Sequence, residues 1–516
     1  MPAQPEQPVG ARMAAGLAAA AVALGVTQLL AVFFSPAADS RTSVGTAVVN
    51  LTPGPVKEWA IQTFGTADKL FLAVAVLAVV AGLAAVAAVW ERSRVPVGTL
   101  AILAAAVVGS AAVLARPGAG PTDVVPTLVG AAAGIAVLRF LTGRRPAGTT
   151  DVQSEPAGPQ PDPGRRHSLQ ALGFLGLGAL AGVGGTVLGR QRRSVAGDRE
   201  TFALPRVVEP AAPVPAGVQP KAQGLPSFIT PNEDFYRIDT ALSVPQLSQA
   251  QWQLRIHGMV DREAVYTFAD LDRFEAIERA VTLTCVSNPV GGDLISNAMW
   301  TGYRLRDLLA ESGVDPAADM VLSTSVDGFT VGTPVEAMTD GRDAMLAVGM
   351  NGVPLPLEHG YPARLVVPGL YGFVSATKWV VDLELTRFDR AEAYWTRLGW
   401  SAQAPIKTGS RIDVPRNGQR LRAGPVTLGG VAWAQYRGIG AVEVRVDDGP
   451  WRPARLGAAY SDDTWRLWTF DWQATAGDHT LSVRAVDNSG AVQTGEPSPP
   501  VPDGATGWAS VLVEVE

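Results

Sequence analysis

The run Leu346-Ala-Val-Gly-Met-Asn-Gly-Val-Pro-Leu-Pro-Leu-Glu-His-Gly-Tyr-Pro-Ala-Arg-Leu-Val-Val-Pro-Gly369 continues as Leu-Tyr-Gly-Phe-Val-Ser-Ala-Thr-Lys-Trp379. Its first part predicts a β-hairpin. Met350-Asn351-Gly352-Val353 puts Asn-Gly where a type I′ turn needs positive φ at both central positions. Beyond the turn, His359, Arg364 and Lys378 fall within twenty residues, and Gly360, Gly369 and Gly372 let backbone approach a ligand closely. The set suits an anionic, flat, hydrogen-bonding ligand. Arginine serves bidentate phosphate contacts, lysine acts as a point charge, and backbone amides meet ring edges. On residue chemistry alone, a group of solvated strand-end charges explains the same pattern.

Upstream lies Val281-Thr-Leu-Thr-Cys-Val-Ser-Asn288, which reads as a buried strand ending at Cys285 and entering a loop with Gly291 and Gly292. A lone cysteine is ordinarily a small core residue, although a thiolate suits a soft, electron-rich metal centre. Having one cysteine excludes an internal disulfide framework, a CxxCH haem attachment and a thiolate-rich zinc site. Four histidines leave little material for a metal centre built from imidazoles.

Outward from these motifs the chain is asymmetric. Residues 1–200 carry 16 Lys/Arg against 11 Asp/Glu, and residues 201–516 carry 26 against 37, so +5 and −11 make the net −6. Charged residues are 17% of the whole, against roughly 25% in soluble domains, and the deficit sits in the first 190 residues. An acidic polar part repels phosphate backbones, so no nucleic-acid partner is expected. Met13–Ala38, Leu70–Trp90, Val95–Ala115 and His167–Gly189 are free of Asp, Glu, Lys and Arg. Each is long enough to cross ~30 Å of hydrocarbon as a helix. Val124–Leu138 makes a fifth span if Arg139 snorkels. Soluble helices need a polar face, and these have none. The basic flanks disagree on orientation. Arg92, Arg94, Arg139, Arg144 and Arg145 place the ends of the second and fourth spans inside, whereas Arg190, Arg192 and Arg193 argue against an exported C-terminal part. Arg165-Arg166-His-Ser-Leu169 before a Gly-rich, moderately apolar span looks like an internal twin-arginine export signal, or else a basic flank. The first reading puts everything after Gly189 outside the cytoplasm.

Gly143–Arg166 and Glu209–Pro226 are rich in proline, glycine and small residues and read as linkers, the second holding the soluble part off the bilayer. From Ser227 short alternating strands begin, as at Gln253–Ile256, with amphipathic helices such as Tyr303–Ser312. After Arg411 the pattern is nearly all-β, with runs at Ala441–Val446, Trp465–Trp472 and His479–Val486 separated by Gly/Asp turns. That spacing suggests an immunoglobulin-like sandwich.

The Leu346–Gly369 run, the Leu-Thr-Cys285-Val-Ser-Asn288 segment and the following Trp300-Thr-Gly-Tyr-Arg-Leu-Arg-Asp-Leu-Leu resemble the sulfite oxidase family of molybdopterin enzymes. The resemblance extends from about Pro226 to Glu516, and Val442-Glu-Val-Arg-Val-Asp-Asp-Gly-Pro-Trp451 is similar to the family's dimerisation domain. It implies an α+β molybdopterin-binding domain over 227–395 and an immunoglobulin-like dimerisation domain over 396–516; the all-α transmembrane region over 1–195 and the Pro-rich linker over 196–226 lie outside it and follow from the apolar runs and composition. The resemblance implies one molybdenum held as molybdopterin cofactor, with Cys285 as the metal-ligating and catalytic residue. By the same resemblance His359 and Arg364 match the pair at the pterin phosphate, and Ala376-Thr377-Lys378 matches the next pterin contact. Tyr236, Arg237, Asp239 and Thr240 fall where the family has its first pterin loop, without the family's Arg-Asn-His there. Asn288 belongs to the cysteine motif, and Asp327 is a weaker match in a loop of different length.

Two departures bear on substrate. In sulfite oxidases an arginine follows the asparagine of the cysteine motif, and here Pro289 and Val290 follow Asn288. The family's active-site tyrosine, three residues before Asn-Gly, is Val348. A pocket lacking that cation and that phenol favours a neutral or larger oxo compound over a small dianion. The expected function is membrane-anchored, two-electron oxygen-atom transfer on a sulfite- or sulfoxide-like molecule outside the cytoplasm. It requires an electron-transfer partner that the sequence leaves unidentified and allows a homodimer. The alternative is a non-catalytic surface binding protein on the same fold.

Overall fold

The computed structural model describes residues 8–54, 56, 59, 63–64, 68–91, 95–143 and 163–516. Backbone contacts divide the chain into two units, Met1–Ser194 with Ala241–Ser243, and Val195–Thr240 with Val244–Glu516.

The first unit is helical: α1 (Val9–Ala31), α2 (Ser40–Leu51), α3 (Asp68–Val89), α4 (Val97–Leu114), α5 (Val125–Thr142) and α6 (Pro163–Arg193). Among the described residues, five helical stretches are long and apolar enough to cross a membrane: Val9–Ala31, Leu70–Val89, Val97–Leu114, Pro121–Thr142 and His167–Thr201. The first ends before the apolar run does, because Ser35 caps a short turn at Pro36–Ala38. Helices without polar faces associate through close backbone approach at small residues. A Cβ on Gly25 or Gly178 would overlap the backbone of the facing helix. The guanidinium of Arg193 donates to the carbonyls of Ala31 (2.6 Å), Phe34 and Ser35 (both 3.3 Å), and Arg192 lies 4.7 Å from the Phe33 ring centroid. Two of the three basic residues after the last span are thus occupied in capping and stacking on the end of α1, which weakens them as orientation markers. Arg92, Arg94, Arg144, Arg145 and residues 144–162 of the expected first linker lie outside the described residues. The backbone of Arg165 and Arg166 is in the first turn of α6.

The second unit is β-rich. One sheet has the order β1 (Val207–Glu209), β4 (Ala276–Thr284), β5 (Ile295–Arg304), β8 (Met345–Met350), β10 (Arg364–Val366), with β9 (Val353–Pro354) also on β8. A second sheet has the order β3 (Ala264–Thr267), β2 (Gln253–Gly258), β11 (Val380–Thr386), β6 (Met320–Ser325), β7 (Thr330–Pro334). Asn351 and Gly352 turn β8 into β9 with φ of 52° and 78°, as a type I′ turn requires. The helix expected from Tyr303 begins at Leu305, because Tyr303 and Arg304 complete β5 against Leu346 and Met345.

The remaining strands form a four-stranded sheet, β12 (Gly409–Val414), β14 (Gly424–Trp433), β18 (Arg466–Ala474), β17 (Arg455–Leu456), and a five-stranded one, β13 (Gln419–Leu421), β20 (Ala509–Val515), β19 (Gly477–Asp487), β15 (Ile439–Val446), β16 (Arg452–Pro453). Leu428, Trp468 and Phe470 from one and Val444, Leu481 and Val513 from the other share a core, so the two sheets pack as a sandwich. Trp433, Trp465 and Leu467 belong instead to the core that contains Leu283, Trp300 and Val348. Residues 227–395 and 396–516 are therefore joined by continuous apolar packing.

The expected 196–226 linker is corrected by the structure, since it belongs to the second unit. Asp198 of α7 (Ala196–Thr201) accepts the Tyr361 hydroxyl at 2.6 Å, and Phe202 packs edge-on against Phe268 and Tyr361. β1 pairs in parallel with β4. Arg279 and Arg304 both bond the Glu209 carboxylate and hold it down at a pKa of about 2. A proline-rich stretch lacks ladder donors, but its carbonyls and apolar side chains still dock. The Tyr460 hydroxyl, for example, donates to Ala212 O at 2.6 Å.

Candidate active site

β4 delivers Cys285 to the end of its sheet. β1 covers only the first residues of that strand, at Ala276 and Ile277, and the sandwich pairs its far end at Thr282 and Thr284. The Thr282 N–H donates to Asp463 O (3.0 Å), the Gln435 amide donates to Thr282 O (3.1 Å) and to the Thr284 hydroxyl (2.9 Å), and the Trp465 N–H donates to the Thr282 hydroxyl (2.8 Å). Polar edges leave water only when each group is paired. This pairing fixes the strand end from outside its own sheet. Past it, the Asn288 N–H closes a turn on Cys285 O at 3.1 Å, and the Asn288 side-chain oxygen accepts the Leu294 N–H at 3.0 Å. Arg411 of β12, ion-paired to Asp413, donates to Gly292 O at 3.0 Å. The half-buried thiol therefore sits on a loop braced by both domains.

The basic residues collect on one face of this site. Arg364 is 5% exposed, lies 5.0 Å from the Trp300 ring centroid, and donates only to the carbonyls of His359 (3.1 Å), Ala376 (3.3 Å) and Leu365 (3.4 Å). Among the described residues no carboxylate pairs with it. Burial pushes its pKa down to about 10, the neighbouring Tyr236 opposing. Burial, followed by the charges of Arg364 and Lys378, pushes His359 down to about 4. It is therefore neutral at pH 7. Its Nε2, 3.2 Å from Asn232 O, can only be the protonated nitrogen, which leaves Nδ1 an acceptor. Lys378 donates to Asp239 at 2.7 Å and to Glu358 O at 3.1 Å, and burial pushes it down to about 8 against the pull of Asp239.

The loop at Phe235 ties this face to the cysteine. Phe235 stacks on Tyr236 (5.4 Å) and meets His359 and Trp300 edge-on (5.4 and 5.6 Å). Desolvation pushes the Tyr236 phenol up, the Cys285 thiolate adds to that, and Arg364 counters it. The phenol therefore feels the charge of both the thiol and the guanidinium. A Cβ on Gly372 would lie 3.7 Å from the Tyr236 hydroxyl and 3.8 Å from Thr284 O, so this glycine does border the site. Gly360 and Gly369 are required by protein packing. A Cβ on Gly360 would press on Arg364 and Lys378 at 3.0–3.2 Å, and one on Gly369 would lie 2.8 Å from Tyr436 of the sandwich.

Of the other expected residues, Ala376 contributes the carbonyl that receives Arg364, while the Thr377 hydroxyl is 2.7 Å from Ser323 inside the core. Arg237 pairs with Asp239 at 3.0 Å from the surface, and Thr240 follows it, half-buried. The Asp327 carboxylate caps its own turn at Phe329 N (3.2 Å), one residue from Val326, whose N–H meets Trp379 O. Tyr371, Gln435 and Arg411 were missed. Tyr371 was legible as an aromatic between two glycines of the quoted run. The other two come from the sandwich and carry no local signal.

Among the described residues no group of three or more His, Cys, Asp or Glu is placed to hold a metal. A metal at Cys285 must then bring its other ligands with it. A buried cation without a counter-charge is costly, and Arg364, linked to the thiol through Tyr236, fits a metal delivered by an anionic organic group. The comparisons agree. Residues 241–395 match the family described as oxidoreductase molybdopterin binding domain. The chain is 31% identical over 150 residues to the uncharacterized oxidoreductase YuiH of Bacillus subtilis (strain 168), covering 29% of this chain and 72% of that one. It is 29% identical over 316 residues to mitochondrial sulfite oxidase of Homo sapiens, 52% of this chain and 57% of that one. The chain belongs to the sulfite oxidase family of molybdopterin oxidoreductases. Its alignment thus spans little more than half the length of the human member. Among solved structures, the sulfane dehydrogenase SoxCD of Paracoccus pantotrophus matches at 26% identity and a TM-score of 0.48, over 62% of this chain and 95% of that one. Family membership carries the molybdenum cofactor with it, and the donor set around Arg364 fits its anionic end.

Proposed function

We propose that the chain is a membrane-anchored oxidoreductase whose second unit works outside the cytoplasm, transferring an oxygen atom to or from a small sulfite- or sulfoxide-like molecule. The molybdenum cofactor supplies the two-electron oxygen-atom transfer. Cys285 is its protein ligand. Arg364 and Lys378 hold the phosphate, the neutral His359 accepts a hydrogen bond at Nδ1, and the Asn288 turn, Tyr236 and the Ala376–Lys378 segment shape the remaining walls. Arg237, Asp239, Thr240 and Asp327 form the outer rim, with Asp239 setting the charge of Lys378. The sandwich serves as an immunoglobulin-like dimerisation domain, and a separate redox protein exchanges electrons with the site. The observation that carries this reading is the buried Arg364, which has no carboxylate partner among the described residues and lies within electrostatic reach of Tyr236, the phenol that also feels Cys285.

Metal analysis of the purified chain tests it. About one molybdenum per chain is expected, and none would favour a non-catalytic binding protein on the same fold. For location, Arg165→Lys with Arg166→Lys keeps the charge but removes the paired guanidinium groups that a twin-arginine receptor reads. External protease should cleave the second unit in the parent and not in the double variant. Equal cleavage in both reduces the pair to a basic flank, and protection in both places the unit inside.

A further inference from the structure

A small open recess, with a volume of about 30 Å³, lies where the Cys285 loop meets the sandwich, lined among others by Thr284, Asn288, Val290, Tyr371, Lys407 and Trp433. It adjoins the thiol, since Thr284 precedes Cys285 and Asn288 closes its turn. Two neutral donors border it. The Asn288 oxygen is committed to Leu294 N–H, so the amide group is oriented, and among the described residues its NH2 makes no hydrogen bond although Asn288 is only 7% exposed. The Tyr371 hydroxyl, pushed up to about 12 by burial with Cys285 adding to the shift, stays protonated. Among the lining residues the one cation is Lys407, and it is already engaged. Its ammonium donates to Asp503 and to Gly504 O, both at 2.8 Å. That loop is seated on the site, for a Cβ on Gly504 (φ 103°) would lie 2.6 Å from the Tyr371 hydroxyl.

We infer that this recess is the substrate approach, and that the Lys407–Asp503 ion pair determines its specificity by cancelling the one charge among the residues that line it, so that an uncharged oxo compound is admitted and an oxyanion is not. The inference rests on the oxygen-transfer reading above. Asn288 and Tyr371 donate to the substrate oxygen, and Trp433 and Val290 face its apolar part. An oxyanion entering here gives up water and meets no unpaired cation, which is the costly case for a buried charge.

Calorimetry on the oxidised holoenzyme, with dimethyl sulfoxide and inert sulfate as probes, tests this without turnover. The parent should bind dimethyl sulfoxide at least tenfold more tightly than sulfate. Asp503→Asn frees Lys407 and should tighten sulfate about tenfold, about 1.4 kcal/mol, leaving dimethyl sulfoxide within twofold. Val290→Arg, at a rim position 40% exposed, should likewise tighten sulfate about tenfold without touching the ion pair, and loosen dimethyl sulfoxide by removing an apolar contact. Asn288→Asp keeps the acceptor for Leu294 and should weaken dimethyl sulfoxide at least tenfold. A molybdenum-loaded parent that binds sulfate as tightly as dimethyl sulfoxide, or sulfate binding unmoved in both charge variants, overturns the inference and leaves the proposed function standing. A chain that takes up no molybdenum overturns both.

Discussion

The two faces of the site treat positive charge in opposite ways. On the Trp300 face, Arg364, His359 and Lys378 lie largely buried, and the carboxylate of Asp239 is taken by Lys378 and Arg237, so among the described residues Arg364 has no counter-charge. At the recess Lys407 is 30% exposed and fully paired with Asp503. An unfinished ion pair in the interior is a site awaiting an anion, whereas a finished one at the surface is a screen. Family likeness alone would have treated all these cations as anion binders.

The sharpest way to break the contrast is at the atom between the faces. Cys285→Ser should reduce turnover to background while the melting transition persists, because serine is nearly isosteric but a harder ligand. Near-normal turnover with molybdenum bound would remove the thiolate from the mechanism.

Next in size is Arg364→Met, which keeps a side chain over Trp300 and deletes the charge. Charge-assisted contacts worth ~1.5–3 kcal/mol each predict cofactor affinity lower by about 10- to 150-fold. The cofactor-free protein should move the other way and melt higher, since removing an uncompensated buried charge relieves its desolvation penalty. Pterin content and thermal midpoint, measured on the same preparation, check the two signs. A variant that loses both would make Arg364 a structural residue.

Lys378 predicts a pH effect of up to about tenfold per unit. Its pKa is held near 8, below its ordinary 10.5, so in the cofactor-free protein it is charged below pH 8 and neutral above. Phosphate binding needs the charged form. Cofactor affinity should therefore fall as pH rises through 8, and Lys378→Met should flatten that slope. Folding stability runs the opposite way. The penalty for the buried ammonium is full below pH 8 and is relieved between 8 and 10.5. The smallest effect belongs to Lys407→Met, where an exposed pair contributes only about 0–1 kcal/mol. Cofactor content should be unchanged.

Much of this was open to reading one residue at a time. Apolar runs longer than a bilayer is thick have few other fates, so the helices of the first unit follow from composition. The Asn351-Gly352 turn and the buried strand before Cys285 follow from local backbone chemistry. Charge state and partnership did not. Whether Glu209–Pro226 is a spacer or a docked segment depends on Arg279 and Arg304, residues 70 and 95 positions away.

The sequence by itself determined the element types, the cysteine at a strand end and the set of basic residues near it, because those depend on short-range periodicity, turn chemistry and motif order. Only the tertiary structure decided which of those basic residues lacks a counter-charge, that Gly369 packs against Tyr436 of the sandwich, and that Gln435 and Arg411 reach the strand end and loop around the cysteine from the second domain. Those are long-range pairings, and a group's charge balance is set by what surrounds it in space, not by its neighbours along the chain.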